Sequence, residues 1–117
     1  ECPFVSLSSN AFTLKPGKYL IEWSAPAYQA GRHQTCLHNG TTCVKMGSSE
    51  YSGNSDNTQT ISFGSHILSK TNSSTYKIQH EVQDYTSTNG WGVQSGGSLS
   101  ITTKEVYTQV KIQRIGN

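Results

Sequence analysis

The chain of 117 residues predicts an all-β fold, a sandwich or barrel of short antiparallel strands. Three observations carry this reading. No stretch repeats apolar residues at helical spacing, whereas several runs alternate apolar and polar residues strictly. Clusters of Gly, Asn, Ser and Pro interrupt those runs at short intervals. Ser and Thr together number 30 while 14% of residues are Asp, Glu, Lys or Arg, so hydroxyls fill the polar positions.

Residues 4–7 and 11–14 are short strands. Lys15-Pro16-Gly17 then turns the chain, Pro16 fixing its φ and Gly17 accepting a positive one. Residues 18–25, KYLIEWSA, make the strongest strand. Tyr19, Ile21 and Trp23 share one face, Leu20, Glu22 and Ser24 the other, and Pro26 ends the pairing. Residues 33–37 and 42–46 flank Asn39-Gly40, which reads as a type I′ hairpin turn because both central positions need φ > 0. In that register Cys36 faces Cys43. Thr35, Leu37, Val44 and Met46 look inward; Cys36, His38, Cys43 and Lys45 look outward.

Residues 47–59 read as a long polar loop. Residues 60–69 follow as a strand, with Ile61 and Phe63 on one face and Gly64 marking a bulge. Residues 75–83 set Tyr76, Ile78, His80 and Val82 against Lys77, Gln79, Glu81 and Gln83. A loop with a short strand near Trp91 leads to residues 98–102 and to the last strand. There Val106, Val110 and Ile112 look inward, and Tyr107, Gln109, Lys111 and Gln113 outward. Eight to ten strands is the count of a jelly roll.

The facing pair Cys36 and Cys43 lies within reach of a disulfide, which suits a protein working outside a reducing cytosol. Cys2 then stays free or pairs with another chain; Cys2 bonded to either of the others, or a reduced pair, are the alternatives. Asn39-Gly40-Thr41 and Asn72-Ser73-Ser74 are glycosylation sequons in turns. A net charge of +2 without adjacent basic residues argues against nucleic acid and anionic membranes as partners, and no apolar run reaches membrane-spanning length.

Three segments carry a resemblance. PGKYLIEWSAPAYQAGRHQTCLHN resembles the central strands of the C1q/TNF-like jelly-roll superfamily, with its Gly-x-Tyr strand, Ala-Pro turn and Leu-x-Asn strand end. TISFGSHILSKTNSSTYKIQHEV is similar to the next two strands, and WGVQSGGSLSITTKEVYTQVKIQRI to the closing one. The YTQVKI ending looks most like bacteriophage and prophage fibre head domains. The resemblance implies a jelly-roll β-sandwich of about ten antiparallel strands assembled as a homotrimer. It implies one head domain over residues 1–117, the C-terminal part of a longer fibrous protein. The cysteine clasp is not a hallmark of that family.

Catalysis finds little support. The seven carboxylates form no recognisable pair, and no GxSxG, HExxH, P-loop or CxxC motif occurs. His33 and His38, five apart on a strand, fall on opposite faces and cannot share a metal. His80 reads plainly as a core or subunit-interface histidine. Asn54, Asp56 and Asn57 offer oxygen donors to calcium, but one carboxylate is thin for such a site. No cofactor is expected. Binding candidates are Tyr51, Asn54, Asp56, Tyr85 and Trp91, because exposed aromatics anchor interfaces and stack on sugars. The plainer reading of Trp91, between two glycines, is a loop plug. In a trimer, Tyr19, Trp23, His80, Tyr107 and Ile115 are the interface candidates.

The expected function is a non-enzymatic trimeric head that attaches a viral or phage fibre to a host-surface glycan or protein, at the virion surface or outside the cell. The alternatives are a trimerisation or capping domain without its own ligand, and a secreted C1q/TNF-like ligand.

Overall fold

The computed structural model describes residues 5–8, 11–53, 58–83 and 108–117. These hold eight strands and no helix: β1 (Val5–Ser8), β2 (Ala11–Leu14), β3 (Gly17–Tyr28), β4 (Arg32–His38), β5 (Cys43–Tyr51), β6 (Gln59–Lys70), β7 (Ser74–Val82) and β8 (Gln109–Gly116). All pairs are antiparallel. One sheet runs β1-β2-β7-β4-β5 and the other β6-β3-β8, the arrangement of a two-sheet β-sandwich. The expected count of about ten strands is therefore eight among the described residues; the short strands expected near Trp91 and over 98–102 lie outside them.

Alternation builds the core. Tyr19, Ile21 and Trp23 of β3 point between the sheets and meet Phe12 and Leu14 of β2, Leu37 of β4, Leu68 of β6 and Tyr76 of β7. Ile112 of β8 packs against this cluster from the edge, as its alternation predicts. The turn before β3 is tied down twice. Tyr19 Oη donates to the Lys15 carbonyl at 2.7 Å, and Arg114 of β8 donates to the Pro16 carbonyl at 3.2 Å.

A buried polar seam crosses this core. Trp23 Nε1 donates to Thr35 Oγ1 at 2.8 Å, Thr35 Oγ1 lies 2.8 Å from Ser62 Oγ, and Ser62 Oγ donates to the Ser48 carbonyl at 2.7 Å. Every buried side-chain polar atom among the described residues is hydrogen-bonded, so the seam escapes the cost of an unsatisfied group. It fixes the facing of β6. Ser62 and Leu68 turn inward, and Ile61, Phe63 and Ile67 turn to solvent.

Several local expectations are corrected. Pro26 does not end β3, which stays paired with β6 to Tyr28↔Gln59. Pairing with β8 runs only to Ser24↔Gln109, so among the described residues Pro26 sits where β3 has one neighbour, a position that tolerates a missing N–H. Gly64 marks no bulge; it pairs in regular register with Trp23, whose indole fills the space a Cβ would need. Residues 47–51 are strand rather than loop.

The hairpin turn is wider than type I′. Asn39 N donates to the Thr42 carbonyl at 3.1 Å, Asn39 Oδ1 accepts from Thr41 N and Thr42 N, and His38 Nδ1 accepts from Gly40 N. These side-chain bonds favour a four-residue loop over a two-residue turn. The register moves with it. Cys36 faces Met46, His38 faces Cys43, and irregularities fall between Gln34 and Cys36 and between Leu37 and His38. Met46 thus looks outward, against expectation. The disulfide Cys36–Cys43 is present, with Cα atoms 5.9 Å apart. Cys43 is exposed, whereas Cys36 is 8% exposed, so only half of the bridge lies at the surface.

Candidate functional site

The outward face of the larger sheet carries a polar groove. β4 runs along its middle between β5 and β7. Because His33, Thr35 and Leu37 turn inward, Arg32, Gln34, Cys36 and His38 turn outward. Across the ladder, Arg32 lies opposite Tyr51, Gln34 between Ser49 and Glu81, and Cys36 between Met46 and Gln79. Two hollows follow this lattice. One of about 680 Å³ spreads from Gln34 to Tyr51 and Gln83; one of about 270 Å³ runs from Gln34 along the disulfide to Thr41. Gln34 and Glu81 line both, so the two adjoin.

Hydrogen bonds position two of the groove's amides. Gln34 Nε2 donates to the Gly47 carbonyl at 2.9 Å, and Gln83 Oε1 accepts the Arg32 backbone N–H at 3.1 Å. Tyr51, at the end of β5, is 60% exposed at one margin. Charged side chains lining the larger hollow are few: Arg32, Glu50 and Glu81.

Below the groove lies a histidine pair. His33 Nδ1 and His80 Nε2 are 2.9 Å apart, and His33 Nε2 is 2.7 Å from Thr60 Oγ1. The rings meet at 58°, with centroids 5.1 Å apart. Burial lowers the His33 pKa from its ordinary value, against the opposing pull of the Glu50 carboxylate. Burial pushes His80 down to about 4, and neighbouring His33 adds to the effect. Both rings are therefore neutral at physiological pH, and each contact is a neutral hydrogen bond. A hydroxyl beside two imidazoles has the outline of a proton relay, but His33 is 3% exposed and faces the interior. Among the described residues, no three His, Cys, Asp or Glu side chains gather as a metal site.

Of the expected binding residues, Tyr51 reaches the groove; Asn54, Asp56, Tyr85 and Trp91 lie outside the described residues. Among the expected interface residues, Tyr19 and Trp23 are buried in the chain's own core, because their shared face is the inward one. They have no surface left for a partner copy. His80 is half-buried beside His33, Ile115 is exposed on β8, and Tyr107 lies outside the described residues. Sequence reasoning missed the groove's amides and the contact between His33 and His80. Both depend on β4 lying beside β7, strands 35 or more residues apart that no local pattern brings together. Comparison with protein-family models, curated proteins and solved structures finds no match.

Proposed function

We propose that the chain is a non-enzymatic, homotrimeric jelly-roll head, attaching a viral or phage fibre to a host-surface glycan or protein from the virion surface or extracellular space. The observation that carries this reading is the outer face of the β6-β3-β8 sheet. Ile61, Phe63 and Ile67 of β6 and Ile115 of β8 stand exposed there, with Phe63 at 59%. Exposed apolar stripes of this kind mark protein interfaces, and three copies meeting on this face would cover them.

Strand order supports the jelly-roll part. β4 pairs with β5, β3 with β6 and β2 with β7, the nesting of one long hairpin rolled up on itself. The disulfide supports work outside a reducing cytosol. Trimerisation would present three copies of the groove together, so weak single contacts gain from effective concentration.

The test begins with mass in solution, by light scattering on a size-exclusion column. A species three times the 12.8 kDa chain is expected; a monomer at micromolar concentration overturns the trimeric head. Binding of the trimer to host cells then tests attachment. A trimer that never binds them leaves only a capping role.

A further inference from the structure

We infer that the groove along β4 binds a neutral oligosaccharide lying lengthwise from Tyr51 toward the disulfide hairpin. This rests on the attachment reading above and chooses between its glycan and protein ligands.

Length and shape come first. From Arg32 to His38 the strand advances six residues, roughly 20 Å at strand rise. The two hollows adjoin along that path at Gln34 and Glu81, so the surface offers an elongated pair of depressions rather than one closed pocket. An extended chain of linked rings fits such a trough better than a compact ligand.

Hydrogen-bonding chemistry comes next. Gln34, Gln79 and Gln83 line the trough, with Ser49, Thr41 and Thr42 beside them. A side-chain amide presents a carbonyl acceptor and two donors in one plane, which can meet two neighbouring hydroxyls of a sugar ring at once. The bonds to Gly47 and Arg32 hold two of these amides in place before a ligand arrives, which limits the entropy lost on binding. The exposed Tyr51 ring gives the apolar face of a sugar something to stack on. A protein partner would look for a deep apolar anchor site, and the large aliphatic lining is confined to Val82 and Met46.

Charge selects among glycans. Arg32, Glu50 and Glu81 line the larger hollow, and Glu81 lines the smaller one as well. The lining is therefore net negative by one carboxylate. Sialylated or sulfated chains meet repulsion there, and neutral ones do not.

The experiment titrates the isotope-labelled full chain by NMR with two neutral probes, lactosamine oligomers and malto-oligosaccharides. Two anionic probes, sialylated lactosamine and heparin fragments, run alongside. At least one neutral probe is expected to shift amide signals of Arg32, Gln34, Gln79 and Tyr51. Tyr51→Ala, at an exposed position, should weaken that binding about tenfold without lowering the melting temperature. Glu81→Lys should admit an anionic probe that the natural chain rejects. Binding of anionic probes alone, shifts confined to another face, or no shift with any probe overturns the inference. Attachment to host cells is measured in parallel. If cells hold the trimer while every glycan fails, the groove inference falls and a protein receptor remains. If cells also fail, both readings fall.

Discussion

The Trp23 indole occupies the space above Gly64 that any larger residue would need. The two are cross-strand partners, and a Cβ at Gly64 would lie far inside contact distance of Cε2 and Cζ2. The backbone of β6 thus approaches the ring closely, and this approach aims Nε1 at Thr35 Oγ1. Gly64→Ala is expected to destabilise the fold by about 2–3 kcal/mol, the scale of overpacking in a filled core. Urea unfolding of the variant measures it. An unchanged midpoint would mean that the ring has room to move away.

Thr35→Val keeps the shape and deletes the hydroxyl, leaving the Trp23 N–H without its acceptor. A loss of about 2–3 kcal/mol is expected from the stranded buried donor. Thr35→Ser restores the hydroxyl and should recover most of it. If serine and valine cost the same, packing rather than hydrogen bonding is what matters at this position.

Stability should depend on pH through the histidine pair. His33 and His80 are both depressed in the folded chain, so the unfolded chain binds more protons below its ordinary pKa of about 6.5. The fold should therefore lose stability as pH falls from about 6.5, and the His80 part of that loss should level off near 4. Calorimetry at intermediate pH should find about one proton taken up on unfolding from His80, with His33 adding to it. His80→Gln is expected to flatten the profile. A proton NMR titration that moves the His80 ring near pH 6.5 would contradict this account.

The bridged cysteines are seven positions apart and close a short loop, so the disulfide stabilises modestly. Cys43→Ser should cost about 2–3 kcal/mol. Adding dithiothreitol should lower the midpoint of the natural chain to a similar degree and leave the variant unmoved. Equal responses of the two proteins would show that the bond contributes nothing measurable.

Phe63→Glu tests the apolar face. The side chain is exposed in the single chain, so chain folding should be intact by circular dichroism. On the trimer reading the solution mass should fall to that of the monomer. A trimer that survives the substitution would place the contact elsewhere.

Much of the fold was legible because alternation is a local signal. Tyr19, Ile21 and Trp23 turn inward, as do Tyr76 and Leu37, and the Cys36–Cys43 bond forms. Inward facing also explains why Tyr19 and Trp23 failed as interface residues: the face that reads strongest in sequence is the one the chain buries first. β6 resisted reading. Its inner face holds Ser62 and its outer face Phe63, the reverse of what hydrophobicity favours. The hairpin register was misread because Asn39 and His38 bond the loop backbone through their side chains. Tyr51 stood out in the groove as an aromatic beside a loop. The glutamines beside it carry no signal until β4 and β7 are known to be neighbours.

The seam from Trp23 to Ser62 has a consequence for how the strand finds its place. Shifting β6 by one residue along β3 would turn Ile61, Phe63 and Ile67 into the sandwich and bury more apolar surface. Hydrophobicity alone would reward that mistake. The shift would also strand the Trp23 N–H and the Thr35 hydroxyl in a dry interior and drive a side chain into the indole in place of Gly64. Three small polar or absent side chains thus act as a proofreading step. They reject the greasier alignment during folding and keep the isoleucines and phenylalanine outside.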